Sequence, residues 1–218
     1  MPNEIWDKIF TTKEWGKYPS ENLIKFISKK FDHSDRKQKK ILEIGCGPGA
    51  NIWYLSREGF DTYGIDASKV AVSRTQQRIK KNQLKASLQV GDISKLPYER
   101  EFFSAVVDCA CLYNNDREKT RIILEEVKRV LKPKGLFYSQ TFSDNTYKGQ
   151  TFTKLKELEF KDSSDGPFFG SGFFRLANKR SIEELYSGLF NIKSISRAQQ
   201  TNDKDIKIGH MIIVAEKK

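Results

Sequence analysis

Apolar residues along this chain follow two alternating periods. Short runs of strand length, at 41–44, 62–66, 86–93, 102–111 and 136–142, are separated by stretches whose apolar positions recur every three to four residues. The short runs read as buried strands and the longer ones as amphipathic helices. Ile52, Trp53, Leu55 and Phe60 mark the first such helix, and Val70, Ala71, Val72 and Ile79 mark the next, over 68–82. Ile122, Ile123, Val127, Val130 and Leu131 mark a third over 116–131, with Asp116 as its N-cap and Pro133 and Gly135 as stop signals. The run 102–111 is apolar nearly throughout, as a strand covered on both faces must be. Ahead of the first strand, Ile5, Trp6, Ile9 and Phe10 have helical spacing, and Pro19 opens a second helix carrying Leu23, Ile24, Phe26, Ile27 and Phe31. Toward the end, Ser181 to Glu184 reads as a capping box that opens one more helix. Two last strands, 190–198 and 206–215, are joined by a turn at Asn202-Asp203-Lys204. The alternation predicts an α/β fold: a doubly wound, mostly parallel seven-stranded sheet, helices on both faces, the last strand antiparallel, a three-layer αβα sandwich.

Residues 143–180 break this rhythm. Phe168-Phe169 and Phe173-Phe174 stand among glycines, too apolar for an idle surface loop. They either plug into the core or wall a pocket, and the place, after the fifth strand, favours a pocket. No repeat or second domain is visible. The chain is expected to form one domain, 1–218: an N-terminal helical segment (1–36), a binding core (37–142), an insertion (143–180), and a closing helix and hairpin (181–218).

The chemistry concentrates in one stretch, Lys40-Ile41-Leu42-Glu43-Ile44-Gly45-Cys46-Gly47-Pro48-Gly49-Ala50-Asn51. A strand, a turn with glycine at alternate positions, and a helix make half of a nucleotide-binding βαβ unit. Without a Cβ the turn is tight and lets a ligand lie on its backbone, while the helix N-terminus offers free N–H groups. The spacing is not that of dinucleotide binders, and Glu43 would repel a pyrophosphate; it suits a cationic ligand. Asp66 lies 19 positions after Gly47, at the end of the second strand, where an acid takes ribose hydroxyls. Gly91-Asp92-Ile93 ends the third strand, and Leu131-x-Pro133-x-Gly135 precedes the fifth.

Glu-x-Gly-x-Gly-x-Gly, with these partners, resembles the class I S-adenosylmethionine-dependent methyltransferases. The resemblance covers about 15–218, its specific motifs 40–142. It implies S-adenosyl-L-methionine as cofactor, S-adenosyl-L-homocysteine as product, and in-line transfer of a methyl group. Glu43 would help hold the methionine end, with Gly45, Cys46, Gly47, Gly49 and Asn51 passing under the cofactor. Asp66 and Ala67 would meet the ribose, Asp92 the adenine amino group, Ile93 the ring, and Asp108 and the segment 110–114 the methyl donor. Residues 11–18, with Trp15 and Tyr18, would form a lid, or else pack two helices together. Tyr113, Asp144 and Tyr147 stand where a general base could act, and nothing in the sequence ranks them. His33 falls in a basic linker, and His210 inside the last strand, away from the carboxyl ends. No metal is expected.

Composition narrows the acceptor. The chain has 39 Lys plus Arg against 28 Asp plus Glu, a net charge of +11. That raises a nucleic-acid partner, but the basic residues are scattered apart from Arg36 to Lys40, which favours a solubilising surface. The place after the fourth strand holds Asp108-Cys109-Ala110-Cys111-Leu112-Tyr113 and lacks the Asn/Asp-Pro-Pro-aromatic pattern of enzymes that methylate exocyclic base amines. Cys46, Cys109 and Cys111 fit no disulfide framework and read as buried thiols in a reducing compartment. No apolar run approaches a membrane span, and no signal peptide is visible. The reading is a cytoplasmic methyltransferase with a small-molecule acceptor. Three rivals stand beside it: an RNA or protein methyltransferase, a nicotinamide-dependent Rossmann enzyme, and a non-catalytic S-adenosylmethionine-binding module.

Overall fold

The computed structural model describes every residue except Met1, Trp15, Asp203 and Lys204. Two helices lead, α1 (Pro2–Thr12) and α2 (Glu21–Lys30). Strand and helix then alternate: β1 (Lys40–Ile44), α3 (Ala50–Arg57), β2 (Asp61–Asp66), α4 (Lys69–Lys81), β3 (Ser87–Val90), β4 (Phe103–Cys109), α5 (Arg117–Val130) and β5 (Leu131–Phe142). Three short strands follow, β6 (Thr153–Lys156), β7 (Glu159–Lys161) and β8 (Phe173–Arg175), then α6 (Lys179–Tyr186), β9 (Phe190–Thr201) and β10 (Lys207–Lys217).

The main sheet has seven strands in the order β3-β2-β1-β4-β5-β10-β9. Strands β1 to β5 pair in parallel, and β10 runs antiparallel to both β5 and β9. Side chains on a strand point alternately to opposite faces, and the two cores show it. On one face Leu42, Ile44, Val106, Phe137 and Ile213 pack against Ile123, Leu124 and Val127 of α5 and Ile182 and Leu185 of α6. On the other, Ile41, Ala105, Val107, Tyr138 and Ile212 pack against Leu23, Phe26 and Ile27 of α2 and Leu55 of α3. The chain order reverses between β1 and β4, and a crevice opens beyond the carboxyl ends of such strands.

Local boundaries shift where tertiary pairing outweighs local signals. Strand β5 begins at Leu131, where its register with β4 jumps from Phe103↔Leu131 to Ala105↔Leu136, so the Lys132-Pro133-Lys134-Gly135 segment is absorbed as a bulge. Helix α6 starts before the expected capping box. Its N-cap is Asn178, whose side chain accepts from Ser181 N at 2.9 Å while Asn178 N donates to Ser181 Oγ at 3.0 Å. Of the expected hairpin turn, Asp203 and Lys204 lie outside the described residues; Asn202 Oδ1 accepts from Ile206 N at 2.9 Å.

The insertion builds its own small antiparallel sheet, β6-β7-β8. Phe168 and Phe174 are fully buried and stack at 4.1 Å, with Phe160, Leu176 and Tyr113 around them. Phe169 is 56% exposed and Phe173 is half-buried. This corrects the pocket expectation: adjacent residues point opposite ways, so one Phe of each pair plugs a satellite core.

Phe174→Ala should cost about 3–5 kcal/mol, the usual loss for an emptied aromatic core site. Because that core is separate, amide exchange should accelerate across 153–176 while β1, β4 and β5 stay protected. Exchange that rises equally throughout would mean the two cores melt as one.

Candidate active site

The turn after β1 is fixed from three sides. Gly45 (φ +63°) has Cys111 against it: a Cβ there would fall 2.1 Å from Cys111 Sγ. At Gly49 (φ +81°) a Cβ would fall 2.5 Å from Thr75 on α4. Either position would clash and strain with any other residue. Gly47 (φ +50°) would be strained by another residue but not crowded, since a Cβ there would meet only the Phe10 ring, at 3.7 Å. That side of the turn faces α1. Thr75 Oγ1 donates to Gly47 O at 2.8 Å and holds the turn from below.

Two acids flank the turn. Asp66, ending β2, accepts from Gly47 N and from Ser68 N, each at 2.8 Å. Burial raises its carboxyl from the ordinary value; those N–H groups work against the rise, and Asp7 adds to it. Glu43, near the end of β1, is 2% exposed. Its Oε1 accepts from Asn51 Nδ2 at 2.6 Å, and its Oε2 is buried with no partner. Burial pushes this carboxyl up to about 8, with Asp66 and Asp108 adding repulsion and Asn51 opposing. Asn51 stands in the first turn of α3 and ties it to β1. Ala67 is half-buried between Asp66 and Ser68. Cys46 lies under the turn, its thiol pushed up by burial.

Other candidates sit differently from expectation. Asp108 is fully buried, and its oxygens are taken by Cys111 N (2.9 Å), Leu112 N (3.1 Å) and Ser139 Oγ (2.7 Å). It closes the turn after β4 from inside and presents nothing to the crevice; burial raises it to about 6. Ile93 points into the main core, whereas Asp92 is exposed, accepting from Ser94 N at 2.9 Å with Lys119 Nζ 3.7 Å away. Burial would raise Asp92, but Ser94 and Lys119 outweigh it and hold it low. Tyr18 is 78% exposed and meets Trp53 edge-on at 6.5 Å, so it does not reach the turn. Trp15 lies outside the described residues. The 11–18 stretch is drawn along α4, where Arg74 donates to Thr11 O and Lys13 O and Arg78 to Lys17 O.

What covers the turn is α1. Phe10 is buried over Gly47, and Asp7 Oδ1 accepts from Ser68 Oγ and, at 3.3 Å, from Val70 N at the start of α4. The same cover touches the insertion. A Cβ on Gly172 would lie 3.5 Å from Ile5, and Lys13 Nζ stands 5.4 Å from the Phe169 ring centroid.

The three candidate bases are all engaged. Tyr113 is buried against Phe142 at 4.8 Å, its phenol pushed up to about 12 by burial. Asp144 pairs with Arg197 at 2.9 Å, and Tyr147 donates to Asp165 at 2.9 Å. His33 is exposed, as expected. His210 is not where its sequence position suggested: β10 is reversed, so its early residues lie beside the end of β5, His210 opposite Phe142. Among the described residues, the buried side-chain polar atoms without a partner are Glu43 Oε2, Ser56 Oγ, Asn114 Oδ1 and Thr141 Oγ1. Glu43 stands near the end of β1, Thr141 near the end of β5 and Asn114 in the turn after β4.

Comparison with known proteins fits this geometry. Residues 41–135 match a family model described as a methyltransferase domain. The glycine/sarcosine/dimethylglycine N-methyltransferase of Actinopolyspora halophila is 32% identical over 166 residues, 72% of this chain and 27% of that protein. The ubiquinone biosynthesis O-methyltransferase of Pelagibacter ubique is 28% identical over 137 residues, 62% of this chain and 55% of that one. The chain spans about half the length, or less, of these curated relatives. A Methanosarcina mazei crystal structure of a SAM-dependent methyltransferase superposes with TM-score 0.73 at 22% identity, covering 88% of this chain and 96% of that one.

Glu43 gives a pH prediction with a definite sign. Its carboxyl titrates at 4.5 when unperturbed and at about 8 in the fold, so the folded state holds the proton more tightly. Its contribution is full below 4.5 and is lost as pH rises toward 8, at about 1.4 kcal/mol per pH unit. Urea unfolding of Glu43→Gln, which keeps the bond from Asn51, should lose less stability over pH 5–8 than the unaltered chain. Parallel pH curves would show that Glu43 is ionised in the fold.

Proposed function

We propose that this chain, which belongs to the class I S-adenosylmethionine-dependent methyltransferases, transfers the methyl group of S-adenosylmethionine to a small-molecule acceptor. One observation carries the reading: the orphaned, buried Oε2 of Glu43 beside a glycine turn that α1 covers through Phe10. A buried carboxylate oxygen without a donor is costly by about 1–3 kcal/mol or more, and a cationic ammonium is the partner that removes the cost. A sulfonium-bearing amino acid nucleoside fits that demand; a pyrophosphate does not.

In this reading Glu43 holds the ammonium and gives up its proton in doing so. The Gly47 backbone lets the ligand lie on the turn, Asp66 takes the ribose hydroxyls, and Asp92 accepts from the adenine amino group. Ile93 and Asp108 act behind the site, the first by packing, the second by fixing the turn after β4. Helix α1 excludes water above Gly47. S-adenosylmethionine supplies an already activated, positively charged methyl donor, so the protein's work is mainly to orient and desolvate.

The curated relatives' names support a small acceptor, since they speak of glycine and sarcosine and of ubiquinone biosynthesis. The cysteines are free thiols, which supports a reducing, cytoplasmic setting. No helix among the described residues is long and apolar enough to cross a membrane.

Calorimetry tests the site. Asp66→Ala should weaken S-adenosylmethionine binding at least about tenfold, the worth of a charge-assisted hydrogen bond, and Gly47→Val, whose side chain would intrude on the turn at a φ of +50°, should weaken it too, with the circular dichroism spectrum retained. Binding at neutral pH should also release a proton, read from heats in two buffers of different ionisation enthalpy, and Glu43→Gln should abolish that release. Unchanged affinity in both variants would mean the donor binds elsewhere.

A further inference from the structure

We infer that His210 is the group that takes the proton from the methyl acceptor, and that the acceptor presents a hydroxyl or an ammonium. This rests on the proposed function and adds the acceptor's side of the reaction.

The sheet register places His210. Ile44 stands opposite Asp108, Cys109 opposite Gln140, and Phe142 opposite His210. His210 and Phe142 therefore stand two residues past the Cys109–Gln140 pair, beyond the carboxyl end of β4. Strand β5 lies between β4 and β10, and its Phe142 shares the face of His210.

The face is also the right one. Strand alternation puts Glu43 on the face of Ile41, and His210 on the face of Ile212. Ile41 and Ile212 belong to the same core, under α2 and α3, and Cys109 borders it. The carboxylate assigned to the donor and the imidazole thus look out from one side of the sheet. The other face of β10 carries Met211 and Ile213 into the α5 side.

Its surroundings leave the imidazole free. The ring lies 5.0 Å from Phe142, and among the described residues neither nitrogen has a hydrogen-bond partner. Ala198 faces it from β9. On the same face of β5 the titratable group is Tyr138, whose hydroxyl donates to Gln140, as does Ser20 at the head of α2. Arg197 and Asp144 pair with each other. Burial alone lowers His210 from its ordinary value, with no charged group contributing, so the ring is neutral at neutral pH and ready to accept. Phe142, Tyr113 and Phe168 form an aromatic wall beside it.

The step balances. The acceptor's O–H or N–H bond breaks and its proton passes to an imidazole nitrogen. The nucleophile's lone pair forms the bond to the methyl carbon, and the donor sulfur keeps the pair of the broken C–S bond, leaving a neutral thioether. The imidazolium then returns its proton to water.

The chain's two histidines make the test direct. NMR titration of the imidazole signals in the purified chain should show His210 titrating below the ordinary histidine value. Adding S-adenosylhomocysteine should move His210 and leave His33 still. His210→Phe preserves packing on Phe142, so it should keep S-adenosylhomocysteine affinity. It should lower methyl transfer to catechol or benzylamine by about 10²–10⁴-fold at neutral pH and remove the acidic limb of the rate profile. A His210 signal indifferent to the ligand, or a His210→Phe variant with undiminished transfer, overturns the assignment. Turnover of neither probe by the unaltered chain overturns the acceptor class. Failure of the unaltered chain to bind S-adenosylhomocysteine at all is a different result, and removes the proposed function itself.

Discussion

Three carboxylates buried at the carboxyl edge of one sheet set the terms for everything around them. Glu43, Asp66 and Asp108 come from adjacent strands, and burial raises all three. Water stabilises an ion far better than a protein interior does, so each buried acid needs substitutes for its lost hydration. Asp66 and Asp108 find them locally, in backbone N–H groups and a serine hydroxyl. Glu43 finds half of what it needs in Asn51. The tight glycine turn, the α3 helix that carries Asn51 and the close approach of Cys111 all follow from holding these groups in place. What they leave is a deficit of positive charge aimed at the crevice, the complement of a cationic ligand.

Much of this was legible before any coordinates. The parallel core, the turn, Glu43 and Asp66 are local features, since a strand of period two followed by glycines and an amphipathic helix permits few arrangements. The misreadings are non-local. Asp108 looks like any acid at a strand end; only the fold of the next turn shows its oxygens already used. Tyr18 lies near the right part of the chain, but Arg74 and Arg78 draw that stretch along α4. The Phe pairs were ambiguous because neighbouring residues in extended chain face opposite ways, and composition does not say which is inward.

His210 is the instructive case. The antiparallel last strand was expected, and direction alone would have carried its first residues to the mouth of the sheet. The sequence distance from Phe142 to His210 hid a direct pairing. Polar groups at the start of such a reversed strand belong with the ends of the parallel ones.

Helix α1 leans on the glycine turn through Phe10, on α4 through Asp7 and on the insertion through Ile5. The glycine turn and the insertion therefore share a single roof. Moving that helix would break its contacts with the turn, with α4 and with the insertion together, so whatever the turn binds is coupled to the insertion through one element.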